Sequence, residues 1–270
     1  MKVAYQGKDG AYSQQAVFEY FGAAEAVSCP SFEAVFDAVV SGECENGMIP
    51  IENSVAGSIH QNYDLLLRHN LSIVGEHLLR VRHCLIALPG VKKGEIKKAV
   101  SHPQALGQCA GYLRRNNIQP EVGADTAGSV LLVKNAGERT TAAIASRRAA
   151  QIYDMEIIEE GIEDDPQNYT RFLVIASAPV VPSGVAKTSI VFTLPNRKGT
   201  LYKAIGAFAR RDIDLAKIES RPLVGTPWDY LFYLDFLGAS HDPNVQAALA
   251  ELRDLAPMLR VLGSYARFQW

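Results

Sequence analysis

The chain has 270 residues, 48% hydrophobic and 21% charged, with a formal net charge of −2 at pH 7. That length allows one large or two medium cores, and that charge excludes the electrostatic footprint of a nucleic-acid or anionic-membrane binder. No apolar stretch nears membrane length, the opening Met1-Lys2-Val3-Ala4-Tyr5-Gln6-Gly7 enters a strand pattern instead of a signal peptide, and Cys29, Cys44, Cys84 and Cys109 lack CxxC spacing. Reduced thiols, no metal centre and a cytoplasmic location are the corresponding expectations.

Residues 1–176 alternate strand and helix patterns, the mark of an α/β architecture. A strand over 2–6 leads through Gly7-Lys8-Asp9-Gly10 to a helix from about Ser13. Phe32, Val35, Phe36, Val39 and Val40 recur at helical spacing behind Ser31, a predicted N-cap. Gly47-Met48-Ile49-Pro50-Ile51 reads as a strand, Gly57-Ser58 as the opening of a helix through Leu67, and 71–75 and 78–88 as extended chain. The alternation then restarts. Ala99-Val100 ends in Ser101-His102-Pro103-Gln104 and a helix bearing Leu106, Cys109 and Leu113. Val122 leads to Asp125-Thr126-Ala127-Gly128-Ser129 and a further helix, and Ala142-Ala143-Ile144-Ala145 to Ser146-Arg147-Arg148 and a short one.

After the polar stretch Glu163-Asp164-Asp165-Pro166-Gln167, in which Asp164-Asp165 is expected to be a solvated loop, Asn168-Tyr169-Thr170-Arg171 opens the apolar run Phe172-Leu173-Val174-Ile175-Ala176. A hydroxyl and a guanidinium at the start of a core strand predict a strand that emerges into a cleft. The stretches 75–88 and 157–172 read as two passages between a pair of lobes, so 1–177 is expected to form one two-lobed α/β domain. A Pro/Ser/Gly-rich linker over 178–187 follows. Residues 188–270 then carry a β-α-β-β-α-β order, the ferredoxin-like plan, whose open face and edge strand suit pairing with a second copy.

Ligands of open α/β sheets bind off the carboxyl ends of the strands. The junctions at Gly10-Ala11-Tyr12-Ser13, Glu52-Asn53-Ser54, 101–104, 125–129 and Ser146-Arg147 are each expected to pair small or hydroxyl residues with a helix start. As a set they predict a small anionic ligand, because unpaired helix N–H groups favour carboxylate or phosphate. With neither GxGxxG after a strand nor GxxxxGK[ST], a nucleotide is not indicated. Glu52 reads either as a desolvated acid in the cleft or as a carboxylate bonded to a neighbouring turn. His102, followed by Pro103, reads as a hydrogen-bonded turn histidine in preference to a general acid.

These motifs carry a family resemblance. Tyr5-Gln6-Gly7 with Gly10-Ala11-Tyr12-Ser13, Pro50-Ile51-Glu52-Asn53-Ser54, Ser101-His102-Pro103-Gln104 with Gln108-Cys109, Asp125-Thr126-Ala127, Ala143-Ile144-Ala145 and Thr170-Arg171-Phe172 stand in the order found in prephenate dehydratases. Leu194-Pro195-Asn196 with Gly199-Thr200-Leu201, and Glu219-Ser220-Arg221-Pro222, resemble the two signatures of that family's C-terminal ACT domain. The resemblance spans essentially the whole chain and implies a periplasmic-binding-protein-like catalytic domain. It also implies conversion of prephenate to phenylpyruvate with loss of water and carbon dioxide, in phenylalanine biosynthesis. Aromatisation drives that reaction, so no cofactor is expected.

Carried over residue by residue, the resemblance implies catalytic roles for Thr170, Asn53, Gln108 and Ser101, with Glu52 adjoining them as a proton source. Thr170 is expected to donate a hydrogen bond to the leaving hydroxyl, while Asn53 and Gln108 supply fixed amide dipoles. Arg171, with Ser13, Ser54, Thr126 and Phe172, is expected to contact the dianionic substrate. Phenylalanine is the expected effector, held by Asn196, Gly199, Thr200 and Leu201, with Glu219, Ser220, Arg221 and Pro222 on the partner side of an intersubunit site. A homodimer or homotetramer follows from that arrangement. Gly199-Thr200-Leu201 departs from the family's more frequent Gly-Ala-Leu or Gly-Ser-Leu. The competing readings are an arogenate dehydratase and a non-catalytic amino-acid sensor.

Overall fold

Val3, Ala4 and Tyr5 have no exposed surface, which makes β1 (Lys2–Gln6) a central strand, covered on both faces. A computed structural model describes residues 1–222 and 230–269; the stretch 223–229 and Trp270, both inside the expected 188–270 domain, lie outside the described residues. In chain order the first lobe takes β1, α1 (Tyr12–Phe21), β2 (Glu25–Cys29), α2 (Phe32–Val40), β3 (Asn46–Asn53), β4 (Gly57–Ser58), α3 (His60–Arg68) and β5 (Ser72–Arg80). The second lobe takes β6 (Cys84–Ala87), β7 (Lys98–Ser101), α4 (Pro103–Gln108), α5 (Ala110–Arg115), β8 (Gln119–Val122), α6 (Thr126–Ala136), β9 (Thr141–Ala145), α7 (Arg147–Ile152) and β10 (Glu156–Glu160). The chain then returns with β11 (Tyr169–Ala176) to the first sheet.

The first sheet has the order β2-β1-β3-β11-β5, with β4 on β3; the second has β10-β6-β9-β7-β8. Pairing of β1 with β2 and β3, and of β7 with β8 and β9, is parallel, so α1 and α4 start at carboxyl ends of strands. This is the two-lobed α/β fold of periplasmic-binding-protein-like domains. The second lobe packs Leu85, Ala99, Leu106, Cys109, Leu113 and Ile144 on one side of its sheet, and Ile86, Val100, Ala127, Val130 and Ala143 on the other.

Local chemistry explains most boundaries. Ser31 caps α2 by accepting from Ala34 N at 3.2 Å, and Val35, Phe36 and Val39 form its buried face, while Val40 at the helix end is exposed. Gly57-Ser58 does not open a helix. Gly57 takes φ +84° and turns the chain back as β4 against Glu52 and Asn53. The helix expected to bear Leu106 to Leu113 breaks at Cys109 into α4 and α5, which leaves Gln108 as the last residue of α4. Asp164 and Asp165 lie in an exposed loop, as expected, and from that loop the Asp164 carboxylate also accepts from Gly111 N at 2.7 Å and Tyr112 N at 3.1 Å, capping α5.

A third sheet follows: β12 (Ala186–Leu194), α8 (Thr200–Ala209), β13 (Leu215–Pro222), β14 (Tyr230–Leu237), α9 (Pro243–Leu255) and β15 (Leu259–Ala266), in the strand order β13-β14-β12-β15. That is the ferredoxin-like plan, with Ile190, Phe192, Leu234 and Phe236 packed against Phe208 and Leu249 of the helices. The chain forms two compact units, and Asn70–Glu76 belongs with the second one, together with Val174 onward. Within that unit the buried Glu76 carboxylate pairs with Lys187 Nζ at 2.7 Å and accepts from Phe268 N at 2.9 Å.

Candidate active site

The end of β3 is stitched to the start of β11. Ser54 N donates to Tyr169 O (2.8 Å), Tyr169 N to Ser54 Oγ (2.9 Å), and Ser54 Oγ to Gln167 O (2.7 Å). Within this stitch the Asn53 amide has one possible orientation. Its Oδ1 accepts from Val55 N (3.1 Å) and Ala56 N (2.8 Å), so Nδ2 faces β11. There it donates to Asn168 Oδ1 (2.7 Å), Tyr169 O (3.1 Å) and Thr170 Oγ1 (3.0 Å). From the second lobe, Gln108 Nε2 reaches Asn53 Oδ1 at 3.3 Å. Thr170 thus accepts a hydrogen bond, and among the described residues nothing takes its own hydroxyl proton.

These groups open onto a cavity of about 390 Å³, within the ordinary range for a small-molecule site. Thr170, Asn53 and Gln108 line it, as do Ser13, Thr126 and Phe172 of the expected substrate contacts. His102 lines it too. Its Nδ1 accepts from Gln104 N at 3.3 Å, so it is a turn histidine that also faces the cavity.

Other expected site residues lie elsewhere. Successive side chains of a strand point to opposite faces. Thr170 and Phe172 face the cavity, whereas Arg171 between them points away, buried, with Nη1 3.2 Å from Glu52 Oε1. Neither member of that pair, the expected carboxylate clamp and the expected proton source, lines the cavity. Ser101 has no exposed surface and donates to Ile144 O at 2.6 Å, so its hydroxyl is committed inside the second sheet. Ser54 is occupied by the stitch described above.

No Lys or Arg lines the cavity among the described residues; Asp125 is the one acidic side chain there. Asp125 caps α6 through Gly128 N, while α1 begins at Ala11 without a side-chain cap and presents Ala11, Tyr12 and Ser13 to the cavity. Negative charge is therefore best met at the open end of α1. Glu33, Asp37 and His69 bring potential ligand atoms within 4.8 Å of one another, but none of them lines the cavity and Glu33 already pairs with Arg68 at 3.2 Å.

Tyr12 and Asn168 stood within motifs of the sequence without a role of their own, and His83 stood in none. His83 Nε2 lies 2.8 Å from Gln108 Oε1, and its Nδ1 lies 2.9 Å from the Tyr12 hydroxyl. Burial lowers the His83 pKa and raises that of Tyr12, so both are neutral near pH 7. The available signal was the placement of Arg82-His83 at the passage between lobes, where polar side chains meet the cleft.

In the ferredoxin-like unit, Asn196 is exposed in the turn before α8, and Gly199 takes φ +82° at its start. Thr200 Oγ1 donates within that turn to Arg197 O (2.6 Å) and Pro195 O (3.0 Å), and Leu201 is exposed. Glu219 and Arg221 are half-buried on β13, an edge strand, with Ser220 and Pro222 exposed.

Fold and cavity together define a two-lobed α/β enzyme with a ferredoxin-like C-terminal domain. The chain belongs to the prephenate dehydratase family: the family model described as prephenate dehydratase matches residues 3–180, and that of the ACT domain matches 188–254. Arogenate dehydratase/prephenate dehydratase 6, chloroplastic, of Arabidopsis thaliana is 46% identical over 98% of this chain and 68% of its own length. The structure of prephenate dehydratase from Arthrobacter aurescens in complex with L-Phe superposes with a TM-score of 0.90 at 32% identity, covering 99% of this chain and 90% of that one. A structure described as GqqA, a novel type of quorum quenching acylases, superposes with a TM-score of 0.91 at 32% identity, covering 98% and 97%. No helix among the described residues is long and apolar enough to cross a membrane.

Proposed function

We propose that the cavity binds prephenate and converts it to phenylpyruvate, water and carbon dioxide, and that residues 1–177 catalyse while 188–270 regulate. In this reaction the bond from the ring to its carboxylate breaks, its electron pair completes the aromatic ring, and the ring hydroxyl departs as water with one proton taken up. Thr170 donates a hydrogen bond to that hydroxyl as it leaves. A threonine is too weak an acid to surrender its proton outright, so its contribution is a preorganised dipole. The one observation that carries this reading is the Thr170 hydroxyl, whose oxygen is held by Asn53 while its proton stays available at the cavity. Catalytic roles are assigned to Thr170, Asn53 and Gln108, and substrate contacts to Ser13, Thr126 and Phe172. Arg171 and Ser101 act as structural groups in this reading.

Phenylalanine is the proposed effector at Asn196 and 199–201, with 219–222 of a second copy closing that site; a cytoplasmic homodimer or homotetramer is part of the same proposal. A structural relative binds L-Phe, which supports the choice of effector. A second reading, dehydration of arogenate, is favoured by Asp125, the acidic lining residue able to meet an ammonium where prephenate has a keto group. Side-by-side kcat/KM values decide between them. Prephenate is expected to be preferred, and a preference for arogenate that Asp125→Asn abolishes would establish the second reading instead.

A further inference from the structure

The orientation of each polar group between His83 and Thr170 is forced, and the forcing starts at Asn53. Because Asn53 Oδ1 already accepts two backbone N–H groups, the Gln108 atom 3.3 Å from it is the donor Nε2. Gln108 therefore presents Oε1, an acceptor only, to His83 Nε2 at 2.8 Å, so that nitrogen carries the ring proton. The other ring nitrogen, Nδ1, faces the Tyr12 hydroxyl at 2.9 Å; that hydroxyl also sits 2.9 Å from Arg82 O. The desolvation that lowers the His83 pKa keeps the ring neutral, so Nδ1 is an acceptor and shares the single Tyr12 proton with Arg82 O. Glu163 holds the backbone N–H of His83 at 2.8 Å and fixes where the ring can lie.

We infer that His83, anchored by Tyr12, is a positioning residue that aligns a one-way hydrogen-bond chain running Tyr12 to His83 to Gln108 to Asn53 to Thr170, and so fixes the Thr170 hydroxyl as a donor into the cavity. Every link donates in the same direction, so the last hydroxyl has its oxygen occupied and its proton left over for a ligand. Such chains polarise their members, and each bond strengthens the next. The chain leaves the first lobe at Tyr12, passes through the second at Gln108 and returns at Asn53. Its longest link, 3.3 Å between Gln108 and Asn53, is the one that spans the lobes on the return. His83 touches neither reacting atom in this account; it acts through Gln108.

The inference rests on the dehydratase reading only for its kinetic readout. His83→Leu is expected to lower kcat roughly 10- to 100-fold with KM nearly unchanged, the size of effect expected when a reacting group is misplaced. His83→Gln, whose amide can donate to Gln108, is expected to recover most of that loss. In a Thr170→Val background, His83→Leu is expected to cost little more, because the aligned group is already gone. Nitrogen-15 NMR of the wild-type chain provides a test without substrate: His83 should be a neutral ring protonated at Nε2. Normal kcat in His83→Leu, full additivity with Thr170→Val, or a ring protonated at Nδ1 would each overturn the inference. Absence of prephenate turnover by the wild-type chain would instead overturn the functional reading, with the NMR result still deciding on the chain of bonds. Should His83→Leu fail to fold, the His83→Gln kinetics and the NMR measurement decide.

Discussion

Replacing Thr170 with Val removes one hydroxyl and keeps the shape of the side chain. Thr170 is 8% exposed, and its oxygen accepts a single bond, from Asn53 Nδ2 at 3.0 Å. Asn53 Nδ2 keeps Asn168 Oδ1 at 2.7 Å and Tyr169 O at 3.1 Å, so no buried donor is stranded. The cost in folding is then that of one neutral hydrogen bond, about 0.5–1.5 kcal/mol. In the proposed reaction, catalysis loses the hydroxyl assigned to the leaving group, an effect of roughly 10²–10⁴-fold in kcat. At 1.36 kcal/mol per factor of ten, that is about 2.7–5.4 kcal/mol, well above the stability cost. Initial rates of phenylpyruvate formation, paired with urea denaturation of the same preparations, separate the two quantities. Thr170→Ser should retain most of the activity. A valine variant within tenfold of wild type, or one whose activity loss is matched by its loss of stability, would refute the reasoning.

Acidification should weaken the fold through His83. Burial lowers its pKa in the folded state below the usual 6.5, while Glu163 and Gln108 oppose the shift and Tyr12 stays neutral. The unfolded chain therefore takes up the proton first, and stability is lost as pH falls below 6.5; denaturation at pH 7 and pH 5 should show a smaller drop in His83→Gln than in wild type. Lys187→Met should cost about 3–5 kcal/mol, because it strands the buried Glu76 carboxylate; adding Glu76→Gln should restore part of that in a double-mutant cycle by calorimetry. Gly10 takes φ +89°, and a Cβ there would lie 2.6 Å from Ala149 Cα, so Gly10→Ala should lose about 2–5 kcal/mol from strain and overpacking, measured in urea. All the cysteines are free and buried, and burial pushes Cys84 up to about 12. A disulfide reagent at pH 8 should label none of them until denaturant is added.

Periodicity made α2 and its Ser31 cap legible, and the β-α-β-β-α-β order of the last unit was readable from apolar runs alone, since both depend on residues close in sequence. The break at Cys109 was not readable, because Asp164, fifty-three residues on from Gly111, supplies the cap that starts α5. Thr170, Asn53 and Gln108 were found through motifs, yet the two-residue period of β11 already implied that Arg171 faces away from Thr170 and Phe172. Glu52 followed Arg171, as an opposite charge does when a buried guanidinium needs a partner. Ser101 shows the limit of a motif: a hydroxyl at a strand end serves the sheet as readily as a ligand. His83 carries no local signature. Its role depends on partners 25 and 71 positions away, which only the folded chain brings together.

The central claim is that this cavity aromatises prephenate. Incubating the purified chain with prephenate while recording phenylpyruvate and carbon dioxide together tests it most directly. The account predicts equal molar release of both at an enzymatic rate, without added metal or cofactor. Prephenate left unchanged by the folded chain would contradict it.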